Sequence, residues 1–162
     1  MAVTYTPIAT VQGTGSAGGI TFSSIPQTYT DLVLVMNIFT SIPANETVRV
    51  NNDSGTNYST TLFTSNGTSA TSSRISNAQA FNIQSNIYSD PTLAAFTIMN
   101  FMNYSNTTTY KTVLTRAGRS NQGTEAFIGL WRNTAAITSI SLSSGVTYTT
   151  NASFTLYGIK VA

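Results

Sequence analysis

Side chains able to act on a substrate are scarce in this chain. Histidine and cysteine are absent, and the acids number five: Asp31, Glu46, Asp53, Asp90 and Glu125. Imidazole bases, thiolate nucleophiles, disulfides and the usual zinc or iron ligand sets therefore lie outside its chemistry. Glycoside cleavage needs two carboxyl groups about 5 to 9 Å apart across the scissile bond, and no spacing in the sequence brings two of these acids together. A Ser or Thr nucleophile would lack a histidine, and neither Lys111 nor Lys160 stands in the Ser-x-x-Lys context that activates a serine. The expectation is a protein that is not an enzyme and needs no cofactor or metal.

Binding motifs are equally thin. Gly13-Thr14-Gly15-Ser16-Ala17-Gly18 matches G-x-G-x-x-G, but a dinucleotide fingerprint needs a helix opening at the third glycine and an acid closing the next strand. Gly18 leads into GITFSSIPQTY, which is not helical, so a β-turn loop is the better reading. Asn51 to Asn57 sets oxygen side chains around a glycine, faintly like a calcium loop, yet the terminal bidentate Glu is missing. Asn52, Asp53, Ser54, Gly55, Asn57 and Tyr58 are read instead as a structural turn with an Asx-type hydrogen bond. Lys111, Arg116, Arg119 and Arg132, near Tyr110 and Trp131, could make a small basic patch. Two or three phosphate contacts give little affinity at physiological salt, so arginines capping strand ends are expected rather than a nucleic-acid site. Eight Tyr, Trp131 and many amides suit glycan binding as well, although composition does not separate that from core packing.

The elements that must carry these residues are strands. Val, Ile and Thr total 51 of the 162 residues, against four Glu and Lys, a balance that favours strand over helix. Leu, Ile, Val and Phe number 38, enough for a single folded domain over 1–162. Candidate strands are Val3–Gln12, Ile20–Ser23, Asp31–Phe39, Thr47–Asn51, Phe96–Tyr104, Tyr110–Ala117, Glu125–Arg132, Ile137–Leu142 and Ser153–Val161. Gly, Asn, Ser and Pro clusters separate them, as in a sandwich or barrel. Residues 58–91 read as long loops with one or two short strands. No basic, apolar leader follows Met1, so secretion is not expected, and the apolar run Leu32 to Met36 is too short to span a bilayer. Seven N-x-S/T sequons begin at Asn45, Asn52, Asn57, Asn66, Asn103, Asn106 and Asn151; with so much Ser and Thr they are read as composition.

Only 7% of residues are charged, with a net charge of +2, whereas soluble surfaces usually carry charge on about a quarter to a third of their residues. Much of the surface is therefore expected to be covered by other subunits. Two strands support that: DLVLVMNIF is apolar on both faces, and in EAFIGLWRN Ala126, Ile128 and Leu130 alternate with Phe127 and Trp131. Alternate residues face opposite sides of a strand, so one set needs a second cover. Phe39, Phe127 and Trp131 are the expected interface anchors. Residues 1–12 are expected to form an arm or edge strand, because Pro7 bars a regular central strand, with Tyr5, Pro7 and Ile8 reaching a neighbour.

Three stretches, ITFSSIPQTYTDLVLV at 20–35, VRVNNDSGTNYSTT at 48–61 and SFTLYGIKVA at the C-terminus, resemble a family of small tailed-phage virion proteins. These are common in phages of aquatic bacteria, as capsid decoration (cement) proteins or as modules of head and tail fibres. The likeness covers the first third and the last ten residues, while 62–95 and GRSNQG are individual to this chain. It implies an antiparallel, jelly-roll-like β-sandwich with no catalytic residues. It also implies a place on the capsid exterior of a virion assembled in the host cytoplasm, with the major capsid protein as partner and a homotrimer as the assembly. The alternative is a fibre or receptor-binding module for host-surface glycans; a trimerising stalk, which a fibre tip normally needs, is not evident in the sequence. Nucleic acid and membrane are not expected partners.

Overall fold

Alternating burial along each strand organises the molecule. The computed structural model describes residues 4–83 and 87–160, and within them the chain is all strand and loop. Eight strands make the larger sheet: β1 (Tyr5–Gln12), β3 (Asp31–Ile38), β5 (Tyr58–Ser65), β6 (Ala70–Ala78), β8 (Ala95–Phe101), β9 (Lys111–Arg119), β10 (Gly123–Trp131) and β12 (Ser153–Ile159). The smaller sheet holds β2 (Ile20–Phe22), β4 (Thr47–Val50), β7 (Phe81–Asn82) and β11 (Ile140–Ser143). Their spatial orders are β1-β12-β3-β8-β9-β10-β5-β6 and β2-β11-β4-β7, and the ladders are antiparallel.

This connectivity is a jelly roll with two insertions. The layers β1-β12-β3-β8 and β2-β11-β4-β7 are the two four-stranded sheets of that fold. The hairpins β5–β6 and β9–β10 interrupt the order, and the pairing of β10 with β5 attaches both to the β8 edge. The larger sheet thus extends beyond the smaller one. Between the layers, Leu32, Leu34, Met36 and Ile38 of β3 meet a cluster that includes Val48 and Val50, Met99 and Phe101, Ile140 and Leu142, and Phe154 and Leu156.

The expected antiparallel sandwich is present, and each of the nine expected strands has a counterpart. Val3 and Val161, the expected outer ends of the first and last strands, lie outside the described residues, as do residues 1–3 of the expected arm. The expectation of long loops over 58–91 is wrong: that stretch contains β5, β6 and the short β7. Its inward positions are filled by Tyr58, Thr60, Leu62 and Thr64, so threonine stands where an apolar residue would have signalled the alternation. β1 is an edge strand with a bulge between Pro7 and Ala9, a position where the missing N–H of Pro7 breaks no central ladder.

The glycine run at 13–18 is a loop leading into β2. Its first residue is fixed by packing rather than by a ligand. Gly13 donates its N–H to Ala152 O at 2.9 Å, and a Cβ there would stand 2.0 Å from Thr149 O.

Candidate functional site

The turn after β4 is held by its own polar groups and by bonds to two remote segments, at 136–138 and at Trp131. Asn51 and Asn52 both adopt positive φ, 53° and 54°, a region Asn tolerates better than most side chains. Asn51 Oδ1 accepts Thr138 N at 2.8 Å and its Nδ2 donates to Ala136 O at 2.7 Å, which ties the turn to the loop leading into β11. Asp53 Oδ1 accepts Gly55 N at 2.8 Å, the expected Asx-type bond, while Oδ2 accepts Asn57 Nδ2 at 2.9 Å and Trp131 Nε1 at 2.7 Å. Burial acts to raise the Asp53 pKa, but the bonds from Asn57, Trp131 and the Gly55 N–H together outweigh it and hold the carboxyl below its usual range. Both carboxylate oxygens are thereby engaged, which favours a structural turn over a calcium loop.

Tyr58 closes the arrangement from β5. Its hydroxyl donates to Asp53 O at 3.1 Å and accepts Val50 N at 3.2 Å, and burial pushes its pKa up to about 12. Its ring stacks on Trp131 at 6.5 Å and meets Phe81 edge-on at 4.8 Å. Trp131 and Phe127 are therefore core residues, 1% and 2% exposed, and their expected role as interface anchors is corrected. The alternation argument holds with the opposite phase. Phe127, Gly129 and Trp131 face inward together with Glu125, whereas Ala126 and Ile128 face out and Leu130 is half-buried. Phe39 lies just past the end of β3, half-buried against the core.

At the other edge the expected residues divide. Tyr5 is 55% exposed and meets Tyr157 edge-on at 6.3 Å. Pro7 is exposed beside the bulge, and Ile8 is half-buried and packs on the core.

The surface that needs a cover is the outer face of the inserted hairpins. In register, Phe63 of β5 lies beside Ala126 of β10, then Arg116 of β9, then Ile98 of β8. The next row places Ile128 beside Leu114 and Asn100. Phe63, Phe96, Leu114 and Ile128 are 53%, 48%, 43% and 56% exposed. A hollow of about 480 Å³ between Phe63, Phe96, Ile98 and Arg116 opens on this face. These four side chains share one face, whereas ordinary soluble surfaces scatter such residues singly. The doubly apolar strand pattern signalled such a face, but not which side of β10 carried it.

The basic candidates do not converge. Lys111 is buried, with Nζ donating to Thr109 O and Thr134 O at 2.8 and 2.9 Å, and burial lowers its pKa. Arg119 is buried against Asp90, and Arg132 binds Thr56 O at 2.6 Å and Asn77 Oδ1 at 3.0 Å. Of the four, Arg116 alone is exposed, and Arg132 is half-buried.

A second polar group missed in the sequence is Glu46, fully buried and hydrogen-bonded by the Tyr148 hydroxyl. Its Oε1 has no hydrogen-bond partner among the described residues. Burial pushes the Glu46 pKa up to about 7 despite that hydrogen bond, and burial followed by the neighbouring carboxylate raises that of Tyr148. Asp31 and Asp90 support structure: Asp31 Oδ1 accepts Asn103 N at 2.6 Å, and Asp90 Oδ1 accepts Thr92 N and Leu93 N at 2.8 and 2.9 Å. Comparison with protein-family models and with curated proteins yields no match.

Proposed function

We propose that this chain is a non-enzymatic virion structural protein of a tailed phage, a capsid decoration subunit that binds the outer surface of the assembled head. The observation that carries the reading is the exposed apolar group formed by Phe63, Phe96, Leu114 and Ile128 on a regular sheet. A strand-built face holds its side chains in fixed register, which suits repeated docking on an ordered lattice. Sparse surface charge and the resemblance at 20–35, 48–61 and the C-terminus support the same reading. The face docks on the major capsid protein, and the β1 edge, with Tyr5 and Pro7 exposed, meets a neighbouring copy in a trimer. Stabilisation follows from mass action: a subunit that binds only the assembled shell favours that state.

A second reading, a head- or tail-fibre module for host glycans, is supported by Tyr88, 39% exposed beside a hollow lined by neutral polar residues that include Asn66 and Gln122. Copy number per virion on a quantitative gel separates the two. Decoration requires copies on the order of the capsid lattice sites, in the hundreds, whereas fibres require a few tens. Absence from purified particles would contradict both.

A further inference from the structure

At the far end of the inserted hairpins, the β5–β6 turn, the β9–β10 turn and the segment at 87–90 enclose two hollows of about 440 and 400 Å³ that share Asn66 and Gln122. We propose that this cleft binds a neutral glycan, with Tyr88 as the stacking platform and Asn66 and Gln122 as amide donors. The proposal rests on the glycan-binding reading above and names its site and ligand class; the titration below and the copy-number count fail independently of each other.

Tyr88 is held from several directions. Its N–H donates to Gln122 Oε1 at 3.0 Å, and its carbonyl accepts Arg119 Nη1 at 2.8 Å. The Arg119 guanidinium lies 5.2 Å from the ring centroid, and it is fixed in turn by Asp90, with the Arg119 side chain only 2% exposed. Despite this support Tyr88 remains 39% exposed. An aromatic surface fixed before a ligand arrives loses little freedom on binding, which is the condition for a preorganised site.

The polar groups have a defined sense. Asn66 Oδ1 is occupied by Thr68 N and Ser69 N, each at 2.9 Å, and Gln122 Oε1 by Tyr88 N. Both amides are therefore left to donate from nitrogen. Thr64, Ser69 and Thr71 add hydroxyls that donate or accept. No Asp, Glu, Lys or Arg is among the described residues lining either hollow, and the charge of Arg119 behind the ring is balanced by Asp90. A phosphate or carboxylate would find no cation here. A sugar ring offers an apolar C–H face for Tyr88 and a rim of hydroxyls for the amides, and neutral saccharides match both features.

The test is an NMR titration of the ¹⁵N-labelled full chain with mannotriose, cellotriose, maltotriose and chitotriose, alongside sialyllactose and a heparin tetrasaccharide. At least one neutral trisaccharide is expected to shift the backbone resonances of Asn66, Gly67, Tyr88 and Gln122 and the Gln122 side-chain amide. Tyr88→Ala should weaken that binding about tenfold or more, the scale for an aromatic anchor. Thr71→Trp, at an exposed β6 position, fills the cleft and should do the same without removing the Arg119 contacts. Unchanged backbone resonances for core strands remote from the cleft, such as β3 and β12, report that each variant is folded. No shift with any neutral probe, binding of the acidic probes alone, shifts confined to other surfaces, or wild-type affinity in folded variants would each overturn the assignment.

Discussion

Trp131 and Asp53, 78 residues apart in sequence, are joined by a 2.7 Å hydrogen bond from the indole N–H to Oδ2. That bond fixes the last residue of β10, in an inserted hairpin, to the turn that follows β4 of the smaller sheet. The large aromatic side chain on β10 is thus spent on joining the insertion to the jelly roll, which leaves Ile128 and Leu114 for the outside.

Trp131→Ala should lower folding stability by about 3 to 5 kcal/mol, the usual range for removing a large buried aromatic residue. Trp131→Phe keeps most of the volume and loses the hydrogen bond, for an expected loss of about 1 to 3 kcal/mol. Urea unfolding followed by circular dichroism measures both. A loss of assembly without loss of stability would restore Trp131 to the interface.

The phase of β10 was not readable from alternation. Its inward set contains Glu125 and Gly129, while its outward phase carries Ala126, Ile128 and Leu130 after Thr124, so hydrophobicity alone does not pick the inner face. By contrast, β3 is legible because its inward residues Leu32, Leu34, Met36 and Ile38 outweigh Val33 and Val35 in size. The turn at 51–58 was legible because Asn, Asp and Gly satisfy the chain locally. The partners of Glu46 and Arg119 come from remote segments at Tyr148 and Asp90, and no local spacing encodes them.

Gly129 is inward-facing on β10, and a Cβ there would lie 2.5 Å from Val113 Cγ2 and 2.6 Å from Phe81 Cδ1. Gly129→Ala should therefore destabilise by about 1 to 3 kcal/mol through overpacking. Thermal unfolding compared with Gly118→Ala, where the nearest atoms are 3.8 and 3.9 Å away, checks the specificity of the effect.

Glu46 should give the stability an unusual pH dependence. Its pKa is about 7 in the folded protein against 4.5 as the ordinary value, so between those limits the native state binds the extra proton. Stability from this group is fully present below about pH 4.5 and falls by about 1.4 kcal/mol per pH unit as pH rises towards 7, then levels off. Asp53, whose pKa is lowered, acts in the opposite sense and loses its contribution as pH falls below the carboxylate range. Urea midpoints from pH 4 to 8 should decline for the wild type and lose most of that decline in Glu46→Gln.

Leu114→Ser and Ile128→Ser, on the exposed face, should change folding stability by no more than about 0.5 kcal/mol, as is usual for surface positions. A larger loss in urea unfolding would mean that these side chains are part of the core rather than of a docking face.

Co-sedimentation with expanded heads of the parent phage, stripped of this protein, tests the central claim most directly. Wild-type protein should pellet with the heads and saturate at a fixed ratio to the major capsid protein. The folded double variant Leu114→Glu/Ile128→Glu should bind at least about a hundredfold more weakly, since it places two charges in an apolar contact. Equal binding by wild type and variant, or no binding by the wild type, would contradict the account.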